Sequence, residues 1–207
     1  METRMTPLAT GFILYLAGLL VVAYLCSKKT QNLPDFLLAG RKLGPWVVAF
    51  SERASGESGW LLLGLTGLAY ATGLGDPSGE QLAPAFWTLL GGVAGLSASW
   101  ALIARPLRTE SERFKALTLP RFFEAKLSEN SVKKRDPLLR LVSTAIVAFC
   151  FTFYVSAQFV AAGKALQGTF GWEPWIGTAL GAGVIVAYTL LGGFLAVAWT
   201  DFIQGWL

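Results

Sequence analysis

The chain has 207 residues, of which 54% are hydrophobic and only 14% charged, too few to coat a soluble domain of this size. Four runs carry no charge at all: Pro7 to Cys26, Gln81 to Ala104, Leu141 to Gly163 and Pro174 to Thr200. A run of ~18 or more apolar residues reads as a membrane span, so the class is an all-α polytopic membrane protein and a soluble enzyme is excluded.

The first run predicts a span over about 7–26. Its positive charges, Lys28 and Lys29, follow the apolar stretch, while Glu2 offsets Arg4 before it; a cleaved signal peptide has the reverse pattern. A basic loop, 27–44, follows with Lys28, Lys29, Arg41 and Lys42 against Asp35. The second span is expected over about 45–73, leading to a short turn whose only charges are Asp76 and Glu80. The third runs over about 81–104 into a large loop, 105–137; from Arg105 to Arg140 there are ten basic and five acidic residues. Basic loops alternating with acidic ones place the basic loops in the cytoplasm and the N-terminus outside. The net charge of +4 therefore reports topology and not an anionic or nucleic-acid partner.

Within that loop, "ALTLPRFFEAKL" sets Leu117, Phe122 and Phe123 among Arg121, Glu124 and Lys126. Pro120 suits a first helical turn, so the stretch predicts a short amphipathic helix, about 118–127, lying on the membrane surface. Spans four and five are expected over about 138–166 and 174–191, joined by "QGTFGWE". A break at Gly192-Gly193 precedes a sixth helix over 194–207. Those last 14 residues rise ~21 Å, short of a ~30 Å hydrocarbon core, so the chain reads as stopping in mid-helix.

The second span holds the anomaly. "AFSERASGESGWLLLGLTG" places Glu52, Arg53 and Glu57 in an otherwise apolar, glycine-rich run. Counted from Pro45, Glu57 lies ~18 Å deep if the run is helical, near the bilayer midplane. A charge there is unfavourable by about 2.5–3.5 kcal/mol or more and needs protein, water or a partner. One reading is an Arg53–Glu57 ion pair at i,i+4. The other is a discontinuous helix hinged at Gly56 and Gly59, whose unwound backbone offers carbonyls to a cation and amides to a carboxylate. Cys26 and Cys150 have no metal-ligand spacing, and with no histidine in the chain, histidine metal sites and histidine-dependent triads are excluded.

Four stretches, "LPDFLLAGRKLGPWVVAFSERASGESGWLLLGLTG", "ALTLPRFFEAKL", "FTFYVSAQFVAAGKALQGTFG" and "LLGGFLAVAWTDFIQ", stand in the order and spacing of the sodium/solute symporters. The resemblance covers about Leu8 to Gln204 and is closest to the branch that carries proline. It implies a leucine-transporter-like inverted-repeat fold: an extra N-terminal helix, then the first five-helix repeat with its last helix incomplete, all within one transmembrane domain over 1–207. Carried over by position, the Ala54 and Glu57 carbonyls and the Ser58 hydroxyl serve the sodium site, and Asp201 lies on the ion path. Trp60 and Tyr154 face the substrate, with Gly59 beside them. The proline carriers have an aspartate where this chain has Gly56, and here the acid comes one residue later, at Glu57. One helical step turns a side chain by about 100°, so only an unwound backbone lets Glu57 take over that role.

The function so implied is sodium entry coupled to uptake of a small solute, proline or a related amino acid, by alternating access in the cell (inner or plasma) membrane. The partners are the solute, sodium and the lipid bilayer, with sodium as coupling ion and no organic cofactor. The alternatives are a sensor input domain of the same fold and a non-transporting fragment. In the family the cation sits between the broken helix and a helix of the second repeat. Residues 1–207 alone are therefore expected to offer half a sodium site and no coupled uptake.

Overall fold

The computed structural model describes residues 2–56, 59–73, 75, 83–129 and 137–206, and the described residues are overwhelmingly helical. The helices are α1 (Glu2–Ser27), α2 (Leu33–Leu38), α3 (Pro45–Gly56), α4 (Thr66–Thr72), α5 (Pro84–Ala98), α6 (Arg105–Arg113), α7 (Leu119–Ser128), α8 (Pro137–Phe170) and α9 (Pro174–Gln204). A 3₁₀ turn, Ala39–Arg41, follows α2, and wider π-helical segments, Trp60–Leu65 and Ser99–Ala104, lead into α4 and α6. By length and apolar composition, Pro7–Ser27, Pro84–Arg113, Pro137–Phe170 and Pro174–Gln204 can cross a membrane. The fold is all-α and polytopic.

The chain forms two compact units, one of residues 1–59 with 155–207 and the other of residues 60–154. In the first, α9 packs along α1, α2 and α3. Its core is built from small side chains, Ala23, Cys26 and Ala196, with Val22, Tyr188 and Leu195 around them. Lipid is as apolar as leucine, so membrane helices associate through close backbone approach at small residues. Where α8 meets the start of α9, Gly163 and Gly177 are mutually packed: a Cβ on Gly177 would lie 3.2 Å from the Gly163 Cα, and one on Gly163 only 2.6 Å from the Pro174 carbonyl. Phe12 of α1 packs on Phe170 at the end of α8 with ring centroids 5.4 Å apart.

Within α9 two helical segments meet at a kink at Gly193, whose φ of 59° and ψ of −153° lie outside helical space. Only glycine tolerates this site, because a Cβ would meet the Phe36 carbonyl oxygen at 2.6 Å as well as bringing strain at positive φ. Breaking the ladder frees carbonyls that hydrocarbon cannot satisfy. The Gly192 carbonyl accepts from the Thr30 hydroxyl at 3.3 Å, which ties the turn to the end of α1.

In the second unit, α6 continues the α5 helix into the basic stretch read from sequence as loop. Its pattern explains this: Arg108 and Glu112 pair at i,i+4. Charges then clamp α6 to α7. Lys126 donates to Glu110 at 2.5 Å and Arg113 to Glu129 at 2.5 Å. Buried Glu124 is answered by Arg140 at 3.5 Å, from the first turn of α8.

Candidate functional site

The polar centre of the first unit lies between α3 and α9. Ser51 is 3% exposed, on the face of α3 turned to α9, and its hydroxyl donates to Asp201 Oδ2 at 2.7 Å. Aromatic packing fixes this register. Phe50 meets Phe202 edge-on at 5.3 Å and stacks on Trp206 at 5.8 Å. Gly205 lets the chain pass against that ring, for a Cβ there would sit 2.2 Å from Phe50 Cδ1. One turn past Asp201, the Gln204 amide donates to the Tyr15 hydroxyl of α1 at 2.5 Å.

Asp201 is half-buried, and its partner is a neutral hydroxyl; among the described residues no lysine or arginine pairs with it. A carboxylate with an adjacent hydroxyl is a pair of hard oxygen donors, the kind that suits a hard cation. Ala54 lies three residues beyond Ser51, exposed and in the last turn of α3. Carbonyls in a last turn have no partner within their own helix and are free for other ligands. Gly56 ends α3, and among the described residues nothing lies within 4 Å of a Cβ placed on it.

Glu57 and Ser58, and the side chain of Trp60, lie outside the described residues. On the far side of that pair, the Gly59 N–H donates to Gln158 Oε1 of α8 at 2.7 Å. Gly59 is pressed so close to α8 that a Cβ would meet the Ala161 Cβ at 2.6 Å. The backbone from Trp60 to Leu65 is π-helical, a wider turn that recurs at functional sites. Tyr154 belongs to the second unit, where its ring meets Phe151 at 5.9 Å and is 42% exposed.

The structure thus brings Asp201 to α3, through Ser51, and ties Gly59 to α8. Sequence reasoning singled out neither Ser51 nor Gln158. For Gln158 a signal was present: it is an amide within the uncharged run Leu141 to Gly163, and a polar side chain in such a run needs a partner.

Comparison with known proteins bears on this arrangement. The model of the sodium:solute symporter family matches residues 36–207. The chain is 42% identical over 188 residues to the high-affinity proline transporter PutP of Bacillus subtilis (strain 168), covering 90% of this chain and 37% of that protein. It is 34% identical over 200 residues to the sodium/proline symporter of Escherichia coli (strain K12), covering 96% and 37% respectively. To the osmoregulated proline transporter OpuE of Bacillus subtilis (strain 168) it is 37% identical over 193 residues, covering 93% and 36%. The chain therefore spans little more than a third of the length of these relatives. No solved structure matches significantly. Matched over most of its length, the chain belongs to the sodium:solute symporter family.

Proposed function

We propose that the chain serves sodium-coupled uptake of proline, or of a closely related amino acid, across the cell membrane by alternating access. The observation that carries this reading is the 42% identity, over 90% of the chain, to a proline transporter. The N-terminus is outside, and the helices make up an extra N-terminal helix followed by the first repeat of a leucine-transporter-like fold.

In this reading the segment after α3 is the broken helix, hinged at Gly56 and Gly59. The Ala54 and Glu57 carbonyls and the Ser58 hydroxyl ligate sodium, and Trp60, Tyr154 and Gly59 line the substrate side. Asp201 attracts the cation on its path, held in place by Ser51, whose 2.7 Å hydrogen bond keeps the carboxylate oriented without neutralising it. Gln158 holds the N–H of Gly59, and with it the chain just past the hinge, against α8.

The test is uptake of labelled proline by cells lacking their own proline carriers and expressing the gene. Uptake that needs external sodium and is competed by proline in excess over other amino acids supports the reading. Uptake indifferent to sodium, or to competing proline, overturns it.

A further inference from the structure

The sodium and proline reading leaves one charged cavity unused. It has a volume of 530 Å³ and is lined by Lys28 and Lys29 just past α1, Asp35 of α2, Lys42 just before α3, and Leu195 and Trp199 of α9. All three lysines are exposed, and none makes a salt bridge among the described residues. Lys28 Nζ stands 4.6 Å above the Tyr24 ring, a cation–π contact that steadies the ammonium without neutralising it.

Asp35 does not answer it either. Its Oδ2 accepts the Gln31 N–H at 3.3 Å. Its Oδ1 is tucked against the following turn, 2.8 Å from where a Cβ on Gly40 would lie. That turn is strained. Ala39, Gly40 and Arg41 have φ of 48°, 59° and 57°, a left-handed run that two of the three residues adopt at an energetic cost. Strain of this kind persists where the surroundings enforce it, commonly at binding sites. Here the strained turn leads directly into Lys42 and sets it on the same cavity as Lys28 and Lys29.

Leu195 and Trp199 of α9 give the cavity apolar lining, and Trp199 is 40% exposed. Two of the cavity's lining residues, Lys28 and Lys29, directly follow the end of the span Pro7–Ser27, and span ends lie at the level of lipid head groups. Tryptophan and lysine together are the side chains that anchor at that level. Lysines act on phosphate as mobile point charges, and basic pockets between spanning helices take anionic head groups. A soluble anion would have no use for Leu195 and Trp199, whereas the glycerol and first methylenes of a lipid would lie along them. We propose that this cavity binds the phosphate head group of an anionic phospholipid.

The test is native mass spectrometry of the full chain in detergent, exposed to equal amounts of phosphatidylglycerol and phosphatidylcholine. The wild type should retain phosphatidylglycerol preferentially. Lys28→Gln/Lys29→Gln/Lys42→Gln should weaken that retention about five-fold per lysine, roughly 100-fold in all. Arg105→Gln/Lys115→Gln/Arg121→Gln removes as much charge outside the cavity and should retain the lipid as wild type does. All six side chains are exposed, so neither variant is expected to disturb folding. No preference in the wild type, equal retention by the two variants, or displacement of the lipid by millimolar inorganic phosphate would each overturn the assignment. The readout is binding alone, so it stands or falls independently of transport.

Discussion

Ser51 and Asp201, 150 residues apart, meet in a 2.7 Å hydrogen bond that joins the charged segment of the chain to its last helix. The bond separates two properties of the aspartate, its position and its charge, and each can be removed alone. Ser51→Ala leaves a half-buried carboxylate oxygen without its donor, which destabilises by about 1–2 kcal/mol. Asp201→Asn keeps an acceptor for Ser51 and deletes the charge. The account predicts that Asp201→Asn raises the sodium concentration for half-maximal proline uptake at least several-fold with little change in melting temperature. Ser51→Ala should shift both. Sodium titrations of uptake, with thermal melts in detergent, check the pair.

Glu57, the acid of the proposed broken helix, gives a second prediction. No atom of the described residues lies within 4 Å of a Cβ at Gly56, so they leave room for Gly56→Asp. Placing the acid where the proline carriers have it should lower the sodium concentration for half-maximal uptake. Glu57→Gln should raise it far more than Glu52→Gln does. Equal, small effects of the two glutamine variants would favour a buried Arg53–Glu57 ion pair instead.

The contact between Gly59 and Gln158 is also open to direct test. Gln158→Leu removes the acceptor of the Gly59 N–H and leaves that donor in an apolar setting. Proline uptake should fall several-fold, and Gln158→Glu, which retains an acceptor oxygen, should recover most of it. Equal losses in the two variants would mean the amide serves packing rather than the hydrogen bond.

Gly193 is the sharpest stability prediction. Gly193→Ala combines positive φ with a clash against Phe36 and should destabilise by about 2–4 kcal/mol. Gly183, in the same helix with nothing within 4 Å of a Cβ, should accept alanine with a change of about 0.5 kcal/mol or a gain. Comparing the two melting temperatures in detergent checks this.

Apolar run length was enough to read the class, because a continuous apolar run of ~20 residues satisfies its backbone in hydrocarbon as a helix, whereas barrel strands are half as long. The paired glycines before Phe194 read as a break, and what the sequence could not give is the partner there, the Phe36 backbone against Gly193. The basic stretch after Ala104 read as loop because it is charged, yet helix continues through Arg113: the charges pair along the helix and across to α7. The π-helical turns at Trp60–Leu65 and Ser99–Ala104 left no mark in composition, since they depend on how neighbouring turns are packed. The Ser51–Asp201 contact was illegible for a related reason. It is set by the register of α3 on α9, which the rings of Phe50, Phe202 and Trp206 fix and no local pattern encodes.

The most direct test of sodium-coupled proline transport uses the protein as its own gene encodes it, purified from its native membrane and reconstituted in liposomes. Labelled proline should accumulate above its external concentration when sodium is imposed outside. That accumulation should collapse when an ionophore dissipates the sodium gradient, and Asp201→Asn should blunt it. Accumulation as large with potassium in place of sodium, or proline uptake that never exceeds equilibrium, would contradict the account.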